Sequence, residues 1–170
     1  MGLPRTLKNM MLFNEGRNYM GEASSVTLPV LTRTFEDWRG AGMNAPVKLD
    51  MGIEALELEA SFGGPMRDIL RQFGALGVAG VYLRFAGAFQ SDEYGAVDSI
   101  EVIVRGRHEE IDFGEAKQGE ASEFKTKMAV AYYKLIWNGV TEIEIDPMNM
   151  IEIVGGIDRM AQQRSAVGFF

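Results

Sequence analysis

The constraint that most narrows the fold is a hydrophobic period of two. Val81, Leu83, Phe85, Gly87 and Phe89 alternate with Tyr82, Arg84, Ala86, Ala88 and Gln90. Leu56, Leu58, Ala60 and Phe62 alternate with Glu57, Glu59 and Ser61. Ile100, Val102 and Val104 continue into Gly106, and Phe124, Met128, Val130 and Tyr132 fall on one side of a run from Glu123 to Trp137. Successive side chains of a strand point to opposite faces, so this pattern predicts strands with one buried and one solvated face.

Turn signals separate the runs. Asn138-Gly139, between Leu135-Ile136-Trp137 and Val140–Ile145, is the strongest, because Asn-Gly supplies the two positive φ angles of a type I′ hairpin. Asn14-Glu15-Gly16 and Glu93-Tyr94-Gly95 are weaker hairpin signals. Two segments carry a helical period instead. In Pro65–Phe73, residues Met66, Ile69, Leu70 and Phe73 make one apolar face, with Pro65 at the start and Gly74 at the stop. The other is a C-terminal helix over 157–167, with Ile157, Met160, Ala161 and Val167 on one side. The stretch Trp38–Gly52, WRGAGMNAPVKLDMG, reads as a long glycine-rich loop between strands. It contains Trp, Met and Val side chains that need something to pack on, and long loops in compact domains tend to be functional.

At 170 residues, with 46% apolar and 24% charged residues, the chain is expected to form one domain over 1–170, mainly β with one or two short packed helices, sandwich-like or barrel-like. Lys and Arg number 17 against 24 acids, a net charge of −7, which argues against gripping nucleic acid through its phosphates. The absence of cysteine excludes disulfides, thiol catalysis and thiolate metal sites, and a single histidine, His108, excludes a site needing two. Next to Arg105 and Arg107, His108 reads as a surface strand residue. No stretch approaches the roughly 20 apolar residues of a membrane helix, so no stable membrane anchoring is expected.

Motif fragments dissolve on inspection. Gly40-Ala41-Gly42-Met43-Asn44-Ala45 fits a dinucleotide fingerprint, but Glu36-Asp37-Trp38-Arg39 precedes it and Pro46 follows, where a strand and a helix are required. Asp112-Phe113-Gly114 lacks the remaining kinase signatures. Glu142, Glu144 and Asp146 alternate with Ile143 and Ile145, which is the pattern of a solvated strand face. No catalytic machinery, metal site or cofactor site is expected. The residues alone point to an acidic β domain whose strand edges must be paired or covered. Self-association would do this; a monomeric β-barrel binding module is the competing reading.

The order of short motifs along the chain resembles the major tail tube proteins of contractile-tailed bacteriophages, a family shared with R-type tailocins. Val26-Thr27-Leu28-Pro29, Arg39-Gly40-Ala41-Gly42-Met43, Asp50-Met51-Gly52, Arg105-Gly106-Arg107, Glu110-Ile111-Asp112, Tyr132-Tyr133-Lys134-Leu135, Glu142-Ile143-Glu144-Ile145-Asp146 and Gly155-Gly156-Ile157-Asp158 carry the likeness. The resemblance implies subunits that close into hexameric rings and stack into a hollow tube. Such a tube would be wrapped by a sheath protein, hold a tape-measure protein, and meet baseplate and tail-terminator proteins at its ends. It would be assembled in the bacterial cytoplasm, reside in the virion, be driven through the host envelope and pass DNA without binding it. A tailocin tube would share the assembly and carry no genome. Within this reading the 38–52 loop is expected to reach a neighbouring subunit through Trp38, Arg39, Met43, Val47 and Met51. The alternating acids Glu57, Glu59, Glu142 and Glu144 are candidates for the lumen.

Overall fold

The computed structural model describes residues 2–169, so Met1 and Phe170, the ends of the expected domain, lie outside the described residues. The strands are β1 (Arg5–Asn14), β2 (Arg17–Asn18), β3 (Ala23–Thr27), β4 (Arg33–Trp38), β5 (Val47–Ile53) and β6 (Leu56–Phe62). After helix α1 (Arg67–Gln72) follow β7 (Val81–Ser91), β8 (Val97–Asp112), β9 (Phe124–Trp137), β10 (Val140–Asp146), β11 (Ile151–Val154) and β12 (Ile157–Asp158), then helix α2 (Ala161–Ala166). The fold is mainly β with two short helices, as expected.

A 10-stranded sheet runs β12-β11-β10-β9-β8-β7-β1-β2, with β6 added on β9 and β3 on β6; β4 and β5 pair only with each other. The sheet does not close. It forks at β9, whose Phe124–Val130 half pairs with β6 while Tyr133–Trp137 pairs with β10. At the fork Arg105 of β8 faces Tyr132 and Gly106 faces Val130, which leaves Ala131 as an extra residue on β9. A bulge of this kind bends the strand and shifts its side-chain phase. Phe124, Thr126 and Met128 are buried before it and Tyr133 after it. Tyr132, expected on the face of Phe124, therefore lies on the opposite face. Gly106 is what the bulge requires. A Cβ there would overlap the Ala129 carbonyl oxygen and stand 3.0 Å from Val130 Cα.

The curled inner face holds the core: Leu12, Leu56, Leu58, Phe62, Val81, Leu83, Phe85, Val102, Val104, Met128 and Ile145, closed by Met66 and Ile69. Tyr19 meets Phe62 edge-on at 5.1 Å between ring centroids, and Phe113 meets Phe124 at 5.3 Å. The Asn138-Gly139 hairpin forms as expected, with φ of 48° and 82°.

Three further expectations change. The Trp38–Gly52 stretch is not one long loop: Trp38 ends β4 and 47–52 belong to β5, the two strands form a hairpin, and only 39–46 is loop. The 157–167 helix shortens to Ala161–Ala166, because Gly155 and Gly156, at φ of 61° and 82°, turn the chain into β12. No residue of α2 is buried; it is held instead by Arg164, which donates to the Met150 carbonyl (2.9 Å) and to Asp158 (2.7 Å). His108 is inside, at 5% exposure, not on the surface. The Val102-Val104-Gly106-His108 alternation keeps it on the inner face until Glu109 forms a second bulge.

His108 belongs to a buried polar cluster under α1. Asn14 Nδ2 donates to Gln72 Oε1 (2.8 Å) and to the Tyr19 hydroxyl (3.0 Å), and Gln72 Nε2 donates back to Asn14 Oδ1 (2.9 Å). His108 Nε2 stands 3.3 Å from Gln72 Oε1, and its Nδ1 has no partner among the described residues. Burial pushes the imidazole pKa below its ordinary value. The unfolded chain therefore takes up a proton near pH 6.5 that the folded one refuses. This contribution to stability is fully present above that pH and is lost as pH falls. Denaturant titrations from pH 8 to 5 should show a smaller loss of stability in His108→Gln than in the parent chain; parallel curves would refute the assignment.

Candidate assembly surfaces

The residues expected to meet a neighbour are gathered on the β4–β5 hairpin. Every residue of β4, and β5 from Val47 to Met51, is exposed. Cross-strand partners share a face. Trp38 faces Val47 and Glu36 faces Leu49, while Asp37 faces Lys48 and Phe35 faces Asp50. One face thus carries Trp38, Val47 and Leu49, and exposed Met51 follows at the bulge where β5 has one residue more than β4; Trp38 is 57% exposed. The other carries Asp37, Lys48 and Asp50 together with exposed Phe35, with Lys48 and Asp37 at 3.8 Å. A lone two-stranded hairpin is marginal in water, so an arm with an uncovered apolar face needs a partner.

The arm is tied down at its base and tip. Arg33 donates through Nε to Asp50 (2.6 Å) and pairs through Nη1 with Glu152 of β11. Hydrogen bonds from Arg33 and from the Gly52 backbone hold the Asp50 carboxyl below the usual carboxylate range. At the tip Arg39 Nε donates to the Met43 carbonyl (3.0 Å), and the Gly40 N–H points at Met43 Sδ (3.1 Å). Arg39 and Met43 therefore brace the loop, whereas Trp38, Val47 and Met51 display apolar surface. Sequence reasoning missed Leu49, although Val47-Lys48-Leu49-Asp50-Met51 alternates plainly; the glycines before it masked the signal.

Three of the four expected lumen acids, Glu57, Glu59 and Glu144, share one sheet face, opposite the core. Glu57 and Glu59 flank buried Leu58 on β6, across from Ala129 and Lys127. Glu144 faces Lys134 on β10. Glu142 is the extra residue of a bulge between Thr141 and Ile143, so the structure does not place it in the clean alternation. Cations interleave with these acids. Lys127 is 3.4 Å from Glu57, which raises the lysine pKa, and Arg84 reaches Glu101 at 2.5 Å. Arg105 lies over the rings of Tyr82 and Tyr132, 5.6 and 6.0 Å from their centroids. The Tyr132 hydroxyl donates to Glu144 at 3.0 Å, and burial together with that acid pushes its pKa up to about 12. No group of acids or histidines that could hold a metal ion occurs among the described residues, and no described helix is long and apolar enough to cross a membrane.

An open β sheet with a self-braced, apolar-faced arm is built for joining other protein, and the comparisons say which kind. The family model for phage tail tube protein FII matches residues 4–168. The chain belongs to this tail tube family. It is 47% identical over 171 residues to the tail tube protein of Escherichia phage P2, covering 99% of both chains. It is 37% identical over 153 residues to the major tail tube protein of Serratia phage KSP20, covering 89% of this chain and 88% of the relative. As a tail tube protein it is a structural, self-associating virion component and not an enzyme.

Proposed function

We propose that this tail tube subunit builds the inner tube of a contractile tail, in hexameric rings that stack into a hollow cylinder conducting DNA. The arm carries the proposal: its apolar face finds no cover within its own chain, and a neighbouring subunit supplies one. Head-to-tail contacts between unlike surfaces generate rings where the rotation closes and filaments where it does not. In this tube the face bearing Glu57, Glu59 and Glu144 lines the channel, because it is the broad polar face with no core to pack. Glu142 stands at its bulged margin. Acids interleaved with lysine and arginine offer phosphates no continuous basic track, so DNA slides instead of sticking. A sheath protein wraps the outside of the tube. The tape-measure protein occupies the channel during assembly, and baseplate and tail-terminator proteins cap the ends.

Negative-stain microscopy of the concentrated protein, alone and with added baseplates, tests the assembly. Hollow tubes are expected; monomers that also fail to extend baseplates would overturn it. The channel assignment has its own test. Glu57→Lys with Glu59→Lys should leave tube length unchanged but lower the infectivity of tails carrying it by roughly tenfold or more, since each added cation strengthens phosphate binding. Unchanged infectivity would move the lumen to another face.

A further inference from the structure

A second apolar surface lies on and after α1. Leu70, Phe73, Leu76 and Val78 are all exposed, Phe73 at 58% and Leu76 at 95%. The expected helix face of Met66, Ile69, Leu70 and Phe73 is therefore split: Met66 and Ile69 enter the core, and the rest faces solvent. Phe73 leaves the helix in an extended conformation (φ −65°, ψ 128°), and Gly74 and Gly77, at φ of 81° and 88°, turn the following chain over the surface. Clustered exposed apolar side chains of this size mark interaction sites. Two cations border them. Arg67 and Arg71 sit on α1 and make no ion pair or side-chain hydrogen bond among the described residues. Arg17, by contrast, is engaged by Asp68 at 2.5 Å and Glu22 at 2.9 Å.

The arm is the complement of this surface. Its apolar face carries one charge, Glu36, which forms no ion pair among the described residues, while Asp37 and Asp50 on the other face are matched by Lys48 and Arg33. Apolar area and charge both match: Trp38, Val47, Leu49 and Met51 with an acid, against Leu70, Phe73, Leu76 and Val78 with two arginines. Their positions fit a repeating contact. The arm springs from the β6–β10 fork and is tethered to β11, whereas α1 is fixed to β1 and β8 through Gln72. In the strand order β11 and β1 lie on opposite sides of β9 and β8. Donor and acceptor are thus distinct surfaces anchored on different strands of one chain, which a heterologous contact requires.

We propose that the arm of one copy seats on the Leu70–Val78 surface of the next, with Glu36 toward Arg67 and Arg71. This rests on the tube reading above. The absence of native cysteine makes a clean test possible. Leu49→Cys protein is mixed with Phe73→Cys, Leu76→Cys or Val78→Cys protein, polymerised alone or on baseplates, and oxidised. The controls are Val97→Cys and Val140→Cys, both at exposed positions. Disulfide-linked dimers are expected with at least one α1-side variant, in tubes only, and with neither control. Tubes that form without these dimers, or that link Leu49→Cys to a control position, overturn the seat but leave the tube reading standing. Failure of the parent chain to form tubes under either condition overturns both. As a second readout, Arg67→Glu with Arg71→Glu should slow tube growth about tenfold through lost charge steering, and adding Glu36→Arg should recover much of it. Unchanged growth in the arginine variant refutes the charge match, as does growth that Glu36→Arg fails to improve. Linkage of Leu76→Cys to a cysteine-bearing sheath protein, with none to the arm, would assign the surface to the sheath and refute the proposal.

Discussion

Tube growth should vanish when Trp38 and Leu49 are both replaced by aspartate, while the subunit itself remains folded. The two side chains lie on the exposed apolar face of an arm whose strands pair only with each other, and neither belongs to the core. Their removal therefore takes nothing from the core. Surface substitutions of this kind change stability by no more than about 0.5 kcal/mol, which at this chain length is a shift in thermal midpoint of at most about 2 °C. In the tube each buried side chain is worth roughly 1.5–3 kcal/mol, and aspartate adds the cost of desolvating a charge. The loss recurs at every subunit, so polymerisation fails outright instead of slowing. Calorimetry and negative-stain microscopy on the same sample separate the two effects. Tubes of normal length would show that the arm is dispensable. A collapsed thermal midpoint would show that it belongs to the fold.

The opposite result is expected of Gly106→Ala: the subunit should not fold. Its added methyl would run into the Ala129 carbonyl at the bulge where β8 and β9 close, and both partners there are backbone, which cannot rotate away. The β8–β9 pair runs the length of the sheet and carries Val102, Val104 and Met128 into the core. Relief of the clash must shift this pair, at a cost of about 4 kcal/mol or more, in the range reserved for disrupted cores. Gly64→Ala is the control. A Cβ there meets nothing within 4 Å and its φ is not positive, so its effect should stay within about 0.5 kcal/mol. Soluble, cooperatively unfolding Gly106→Ala protein would mean that the strands can separate at the bulge without losing the core.

These two expectations mark where the sequence was legible. The alternation of Leu56–Phe62, of Val81–Phe89 and of Ile100–Val104 determined which strands form and which face of each is buried, because side-chain direction follows backbone geometry residue by residue. Asn138-Gly139 determined its hairpin for the same local reason. The order of motifs along the chain carried the family resemblance. The mixed composition, with no cysteine and one histidine, left no enzyme machinery to assign.

The bulges were beyond that reach. Nothing local says that Ala131 or Glu109 is the extra residue. The partner strand and the core decide it, and a shift of one residue on β9 sends Tyr132 outward and Tyr133 inward. The same holds for the arm. Its alternation was present in Val47–Met51, but whether that face meets core or solvent depends on what the rest of the chain leaves beside it. The tertiary structure leaves nothing there, and it leaves Phe73 and Leu76 uncovered as well. Local periodicity therefore set the strands. The surfaces available for joining copies were set only by how the strands were spent in making one core, since exposure is a property of the packed whole and not of any segment.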